Sequence, residues 1–321
     1  MSEANQVIDT NATTEPARAI TQVGAHVASR QRTLLGDAWR RFRRHRLAMI
    51  GALILLVFVV IAIVGPLLWR ISPEDLDFDS IQVGPSIKHP FGTDELGRDL
   101  FARSLYGGRI SLSVGVVAML VALSLGSLIG AVAGFFGGMV DQALMRLTDL
   151  FLSLPILPLL LLTVYLFRDP VTRAFGQVNG IFLIFVLMIG GLTWMGTARV
   201  VRASFLSLKH KEFVEAAKSL GVSQAAIMFR HILPNAMSPI IVSATLGVGV
   251  AIITESTLSF LGVGFPPDTP TWGRLVTDGV NYLQVAPWLA IVPGLLIFLT
   301  VLSINFLGDG LRDALDPRSR L

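Results

Sequence analysis

The sequence contains no cysteine among its 321 residues, and only 15% of those residues are charged. The absence of cysteine excludes disulfides, thiolate zinc sites, iron–sulfur clusters and cysteine nucleophiles. A soluble protein usually carries about 25% charged residues, whereas here 53% of the residues are hydrophobic and the mean hydropathy is +0.67. Because so little charge cannot cover the surface of a water-soluble protein, the composition predicts a membrane protein.

The motifs of nucleotide-binding and hydrolytic enzymes are also missing. The chain has no Gly-x-x-x-x-Gly-Lys-Ser/Thr loop to cradle nucleotide phosphates, and neither a Gly-x-Ser-x-Gly nor a His-Glu-x-x-His sequence. Its five histidines show no spacing that suits a metal ion. We therefore predict a chain that is not an enzyme, with no catalytic residue, metal, cofactor or nucleic-acid partner of its own.

Stretches without a charged residue alternate with islands of charge along the chain. A helix needs about 20 apolar residues to cross a bilayer, so each stretch can cross once and none can cross twice. The first stretch is much longer than the roughly 7–15 apolar residues of a signal peptide, which indicates a retained anchor. We predict an all-α, polytopic protein with six transmembrane helices in the stretches 47–69, 110–140, 150–167, 174–198, 232–254 and 279–308.

Positive charge next to the first stretch predicts the orientation in the membrane. Lysine and arginine beside a first transmembrane helix tend to stay cytoplasmic. Six crossings then place both termini in the cytoplasm of a multi-pass protein of the inner or plasma membrane. The arginines in question are Arg40, Arg41, Arg43, Arg44 and Arg46.

The regions outside the spans differ in character. Residues 1–33 lack an apolar period and are predicted to form a disordered cytoplasmic tail. In 34–46, apolar residues recur at helical spacing between arginines, which predicts an amphipathic helix on the lipid headgroups; a simple topology signal is the alternative. The other predicted parts are the first transmembrane helix 47–69, an extracytoplasmic segment 70–109, a helical core 110–308 that contains a cytoplasmic loop 202–235, and a cytoplasmic C-terminal tail 309–321.

Two acidic residues, Asp149 and Glu255, fall inside or at the edge of the predicted spans. Burying a charge in the membrane costs about 2.5–3.5 kcal/mol, so such residues are candidates for the substrate path. Asp149 follows Arg146 by three residues on one helical face, which favours a structural ion pair. For Glu255, packing against hydroxyl groups is favoured over contact with cargo or a neighbouring helix. Its hydroxyl-bearing neighbours in sequence are Thr254, Ser256 and Thr257.

The cytoplasmic loop 202–235 has the pattern of two short helices. Gly221 is predicted to end the first helix, because glycine accepts the left-handed conformation of a helix C-terminus. Ser223 is predicted to cap the second helix, which should end at Pro234. Such a pair of short helices is suited to binding by another protein. The alternative is a hairpin that rests on lipid headgroups. The first helix shows one apolar stripe, formed by Phe213, Ala216, Ala217 and Leu220.

The residues of this loop match a known motif. Glu215, Ala216 and Ala217, then Gly221, then His231, Pro234 and Asn235 resemble the Glu-Ala-Ala motif of permease subunits in binding-protein-dependent ABC importers. Further segments resemble the peptide branch of that family, and the likeness covers roughly 35–318. These segments contain Gly92, Asp94, Gly97, Asp99, Arg103, Gly107, Arg109, Ser259, Gly262, Gly308, Gly310, Asp313 and Asp316.

The resemblance implies a fold and a set of partners. The fold would be a type I ABC importer transmembrane domain, with a core of five helices and 47–69 as an extra leading helix. The matched loop would contain the coupling helix, which docks on a separate ATPase subunit. Glu215, Ala216, Ala217 and Gly221 would form the ATPase-facing element, and Pro234 and Asn235 would lead back into the membrane.

The same resemblance implies the wider assembly. A second homologous permease would complete a heterodimer, with two ATP-binding subunits that hold ATP and Mg²⁺ and an extracytoplasmic substrate-binding protein. The implied cargo is a dipeptide or oligopeptide, and nickel, opines or short sugars are alternatives within the family. A self-contained secondary carrier is a rival, but the expected midplane charges and internal repeat are not evident. A membrane scaffold or sensor is a third interpretation.

Overall fold

The computed structural model describes residues 34–315, and its regular elements are helices. The predicted tail 1–33 and the last residues, 316–321, lie outside the described range. Eleven helices are numbered here in chain order: α1 Leu34–Arg44, α2 Arg46–Leu68, α3 Leu100–Phe136, α4 Gly138–Ser153, α5 Ile156–Phe175, α6 Gln177–Gly191, α7 Trp194–Leu208, α8 Glu212–Ser219, α9 Gln224–Phe260, α10 Trp272–Val280 and α11 Trp288–Leu315.

Among the described residues, four helices are each long and apolar enough to cross a membrane: α2, α3, α9 and α11. Two more crossings are possible as bent pairs, because α4 and α5 meet at 85° and α6 and α7 at 40°. Counting each pair as one span gives six, the number that the sequence predicts. The predicted fold class, an all-helical protein with several spans, is confirmed.

Small residues place α3 at the centre of the bundle. A Cβ atom added at Gly130 would lie 2.3 Å from the carbonyl oxygen of Ala198 on α7. Gly126 and Gly134 approach the same helix, and Gly115 lies against Ile252 of α9. Lipid provides little hydrophobic drive for helix association, so close backbone approach of this kind is a principal source of packing energy.

The leading helix α2 is held to the core by a side chain that replaces a missing backbone donor. Pro66 lies inside α2 and has no N–H group for the carbonyl of Ala62, four residues earlier. Arg109 of α3 donates instead: its Nε atom lies 2.6 Å from the Ala62 oxygen, and its Nη2 donates to the oxygen of Ile63. The guanidinium therefore satisfies carbonyls that the apolar environment would leave unpaired.

Three predicted regions outside the spans contain parts of the long helices. Asp99 accepts a hydrogen bond from the N–H of Ala102 at 2.8 Å, and α3 begins at Leu100, inside the predicted segment 70–109. Of the loop 202–235, the first residues complete α7 and the last ones belong to α9. Residues 309–315 are the final turns of α11.

The contact between Arg109 and Ala62 predicts a specific stability effect. Arg109→Met keeps much of the side-chain volume but removes the donor, so the free energy of unfolding should fall by about 1–3 kcal/mol, the cost of a buried unpaired group. Thermal unfolding in detergent measures this loss. Adding Pro66→Ala restores a backbone donor for Ala62 and should recover most of the loss. Equal stability of Arg109→Met and the unaltered protein would contradict the assignment.

Candidate coupling site on the cytoplasmic hairpin

The hairpin between α7 and the membrane part of α9, residues 209–235, turns at a glycine. Gly221 has a φ of +74°, in the left-handed region. Its N–H group donates to the oxygen of Lys218 at 2.9 Å, and the N–H of Val222 donates to the oxygen of Ala217 at 3.1 Å. These two bonds form the Schellman motif that ends helices at glycine. The predicted end of the first helix at Gly221 is confirmed.

One face of α8 is anchored in the membrane domain. Val214 is fully buried, and Ala217 is only 5% exposed. Both belong to an apolar cluster that joins α8 to α3, α7 and α9, so the short helix is packed against three longer ones. The main partners in this cluster are Ala131, Val201, Phe205, Ile227, Met228 and Ile232.

Beside this buried face, α8 exposes apolar side chains. Leu220 is 82% exposed and Phe213 is 39% exposed, and Ala216 and Glu215 are exposed beside them. Of the four residues of the predicted apolar stripe, Ala217 turns inward, and Phe213, Ala216 and Leu220 are exposed. The helix has apolar residues on both sides, and spacing alone does not distinguish an inner face from a face that another protein covers.

A π-helical segment joins the hairpin to the membrane. The hydroxyl of Ser223 caps the start of α9 as predicted, and residues Ile227–Ile232 form wider, π-helical turns. Pro234 does not end the helix, so that prediction is wrong. The ordinary hydrogen-bond ladder is already interrupted just before Pro234, and its missing donor is therefore tolerated. The side-chain amide of Asn235 donates to the backbone oxygen of His231 at 2.7 Å.

The motif residues thus divide into three groups by location. Glu215 and Ala216 lie on the exposed face of α8, and Ala217 packs inside. Gly221 makes the turn. The remaining three residues surround the π-helical joint: His231, Pro234 and Asn235.

The two acidic candidates are not brought together. Asp149 forms an ion pair with Arg199 of α7, at 2.6 Å, so the predicted partner Arg146 is wrong. Sequence spacing finds partners on the same helix, whereas this partner lies fifty positions away. A surface pair of this kind, about half exposed on each side, contributes roughly 0–1 kcal/mol.

Glu255 is fully buried among hydroxyl groups. Its carboxylate accepts hydrogen bonds from Ser259 at 2.9 Å, Ser111 at 3.1 Å and Ser256 at 3.4 Å. The predicted packing against hydroxyl groups is correct in kind, but only Ser256 of the predicted neighbours takes part. Thr254 and Thr257 donate to the backbone of their own helix, and Ser111 comes from α3.

A second polar cluster, at the far end of α3 from the hairpin, contains residues that the sequence comparison noted without a role. Arg103 is 1% exposed and lies 3.7 Å from Asp94 and 4.0 Å from Asp278, which also pairs with Arg274 at 3.0 Å. Burial raises the pKa of Asp278 and also that of the neighbouring Glu95. The cluster joins the segment before α3 to α10, and Asp278 and Arg274 gave no recognisable signal in the sequence.

The described architecture, a bundle of spans with an anchored hairpin, agrees with the comparisons with known proteins. Residues 126–321 match the family model described as "Binding-protein-dependent transport system inner membrane component". Residues 33–85 match the "N-terminal TM domain of oligopeptide transport permease C". The chain belongs to the family of binding-protein-dependent transport permeases. It is a membrane component of an ABC importer that works with other components of such a system, and not itself an enzyme.

Individual relatives are similar over nearly their whole length. The oligopeptide transport system permease protein OppC of Haemophilus influenzae is 43% identical over 292 residues, 90% of each chain. The dipeptide transport system permease protein DppC of Alkalihalophilus pseudofirmus is 39% identical, over 88% of this chain and 90% of the relative. The glutathione transport system permease protein GsiD of Escherichia coli is 40% identical, over 89% and 91%.

The two faces of α8 predict different mutational outcomes. Val214→Ala removes buried methyl groups and should lower the free energy of unfolding by about 2 kcal/mol, with faster amide exchange in the hairpin. Phe213→Ala is the matched control on the exposed face, and it should leave exchange in the hairpin unchanged. Hydrogen exchange of the two variants measures the difference. Equal protection of the hairpin in both would show that α8 is not anchored through Val214.

Proposed function

We propose that this permease forms half of the translocation pathway of an ATP-driven peptide importer and that force enters it through α8. The observation that carries the proposal is the combination of two faces on one short helix. Val214 and Ala217 fix α8 to three spanning helices, while Phe213, Ala216 and Leu220 remain uncovered. An exposed apolar face on a rigidly held helix is suited to burial in a groove of a partner protein.

The proposed partners follow from what the chain lacks. Without a P-loop, it needs ATP-binding subunits, and we propose two of them beneath the membrane, holding ATP and Mg²⁺. A second homologous permease would complete the pathway as a heterodimer, and a substrate-binding protein would deliver cargo from outside. Both termini would then be cytoplasmic, in the inner or plasma membrane, on the same side as α8.

The proposed mechanism is alternating access. Closure of the ATP-binding subunits moves the docked α8 and the helices anchored to it, and shifts the spans from inward-open to outward-open; hydrolysis reverses the shift. Reversing a two-state population from 1:99 to 99:1 needs about 5.5 kcal/mol of differential binding. Closure around ATP must therefore supply free energy of that order to the permease.

The proposed cargo is a dipeptide or oligopeptide. Two relatives named for oligopeptide and dipeptide transport are 43% and 39% identical to this chain over about nine-tenths of its length. A relative named for glutathione transport is 40% identical, which shows that cargo varies at this level of similarity. Nickel, opines and oligosaccharides remain the alternative cargoes within the family.

A self-contained secondary carrier is the less favoured function. Such a carrier would use ionisable groups near the midplane to couple ion movement to transport. Here Glu255 is enclosed by serine hydroxyls, and Asp149 is paired with Arg199. Glu255 is therefore enclosed, and Asp149 is held in an ion pair with an arginine, which does not favour a carrier driven by ions.

Gly221 offers a test of force transmission through the hairpin. A Cβ atom at this position meets nothing within 4 Å, so a substitution acts only through backbone strain of about 1–2 kcal/mol at positive φ. Gly221→Val should insert normally and retain its ATP-binding partners, but ATP-dependent peptide uptake into proteoliposomes should be lost while ATP hydrolysis continues.

Gly221→Asn is the matched control, because asparagine tolerates the left-handed conformation. This variant should transport as the unaltered protein does. Unchanged uptake by Gly221→Val, or purification of the chain without any nucleotide-hydrolysing subunit, would refute the proposed coupling.

A further inference from the structure

Helix α4 is weakly packed and has a break at each end. Of its 16 residues, only Thr148 is buried. Before it, Gly137 and Gly138 have φ values of +68° and +54°, in the left-handed region that favours glycine. After it, Pro155 immediately precedes α5, and the axes of α4 and α5 meet at 85°. The described residues therefore give α4 little apolar packing and two points at which its direction can change.

Two ion pairs hold this helix to α7, beside one edge-on contact between the rings of Phe151 and Trp194. The guanidinium of Arg202 binds both carboxylate oxygens of Asp141, with Nη2 2.6 Å from Oδ2. Arg199, about one turn earlier on α7, places Nη2 2.6 Å from Oδ1 of Asp149. A two-point guanidinium–carboxylate contact fixes orientation as well as distance. The pairs therefore hold α4 at two positions along its length.

Helix α7 leads directly into α8. Only residues 209–211 separate the two helices, and the N–H of Lys211 donates to the oxygen of Leu208 at 3.0 Å within this connection. The ammonium group of Lys209 also donates to the oxygen of Gly134 on α3, at 3.1 Å. A displacement of α8 is thus transmitted to α7 through a short, hydrogen-bonded link.

A polar cavity lies on α4, next to one of these ion pairs. Its volume is about 450 Å³, and charged residues of both signs line it. Most of the lining belongs to α4, and Arg202 of α7 completes it, so the cavity lies between the two helices that the ion pairs join. The lining includes Met139, Asp141, Gln142, Arg146, Asp149 and Arg202.

We propose that Asp141–Arg202 and Asp149–Arg199 make α4 a second moving element of transport, which follows α8 through α7. Displacement of α8 carries α7, and the ion pairs carry α4 with it, together with the cavity that the two helices line. The four charged residues are positioning residues that link two helices. This inference rests on the proposed function, since it needs a partner that moves α8.

Exchanging the two charges of the Asp141–Arg202 pair distinguishes a role in coupling ATP hydrolysis to transport from a role in the stability of the protein. In proteoliposomes that contain the complete importer, Asp141→Asn and Arg202→Gln should each raise the ATP hydrolysed per peptide transported by about fivefold or more, the lower end of measured couplings between sites. The double exchange Asp141→Arg with Arg202→Asp should restore the ratio, because it rebuilds the pair in reverse.

Arg146→Gln is the matched control. Arg146 lines the same cavity on the same helix, and no ion pair of this residue occurs within residues 34–315. Its neutralisation should leave the ratio unchanged. If Asp141→Asn and Arg202→Gln also leave the ratio unchanged, or if the double exchange fails to restore it, the ion pairs do not link α4 to transport.

Motion is measured with spin labels at the exposed positions Ala143 of α4 and Ala203 of α7, introduced as cysteines into the cysteine-free chain. In the chain that carries no other substitution, the distance between the two labels should stay constant through the ATP cycle. In the Asp141→Asn variant, the distance between the same two labels should vary. A distance that varies in both would overturn the inference. Failure of the proposed function itself is distinguishable, because the unaltered chain would then show no ATP-dependent uptake at all.

Discussion

The burial of Val214 and Ala217 against α3, α7 and α9 is the contact on which the account of this protein depends. A helix of eight residues has little stability of its own, because nucleation is costly and short helices are marginal in water. Packing against three spanning helices gives α8 a fixed position. It also leaves the other side free, so that one short element joins the membrane domain to a partner.

The membrane domain is suited to move as a rigid body for a different physical reason. Glycines on α3 bring its backbone into contact with α7, where added side chains would collide with main-chain oxygens. This close fit replaces the hydrophobic drive that lipid does not provide. The contact between α4 and α7 is of a different kind: two ion pairs and one edge-on contact between the rings of Phe151 and Trp194. The chain therefore combines a closely packed centre with a margin held by a few specific contacts.

Sequence reasoning predicted the features that depend on local chemistry. The spans follow from uncharged stretches, and the turn at Gly221 follows from the conformational freedom of glycine. The wrong predictions share a cause: each concerns a residue whose surroundings come from a helix that is distant in the sequence. Arg199 is close to Asp149 only in the fold, and the apolar residues of α8 do not reveal which of them face the protein. The prediction that the helix ends at Pro234 was wrong because the sequence does not reveal the π-helical turns that precede this residue.

The most direct measurement of the central claim uses cysteine cross-linking at two adjacent positions of α8. The chain has no cysteine, so Ala216→Cys and Ala217→Cys each introduce a single thiol, one on the exposed face and one on the buried face. In intact membranes, a short bifunctional reagent should join Ala216→Cys to a nucleotide-hydrolysing subunit and should not join Ala217→Cys. No such adduct at Ala216→Cys, or equal adducts at both positions, would contradict the account of α8 as the element through which this permease is driven.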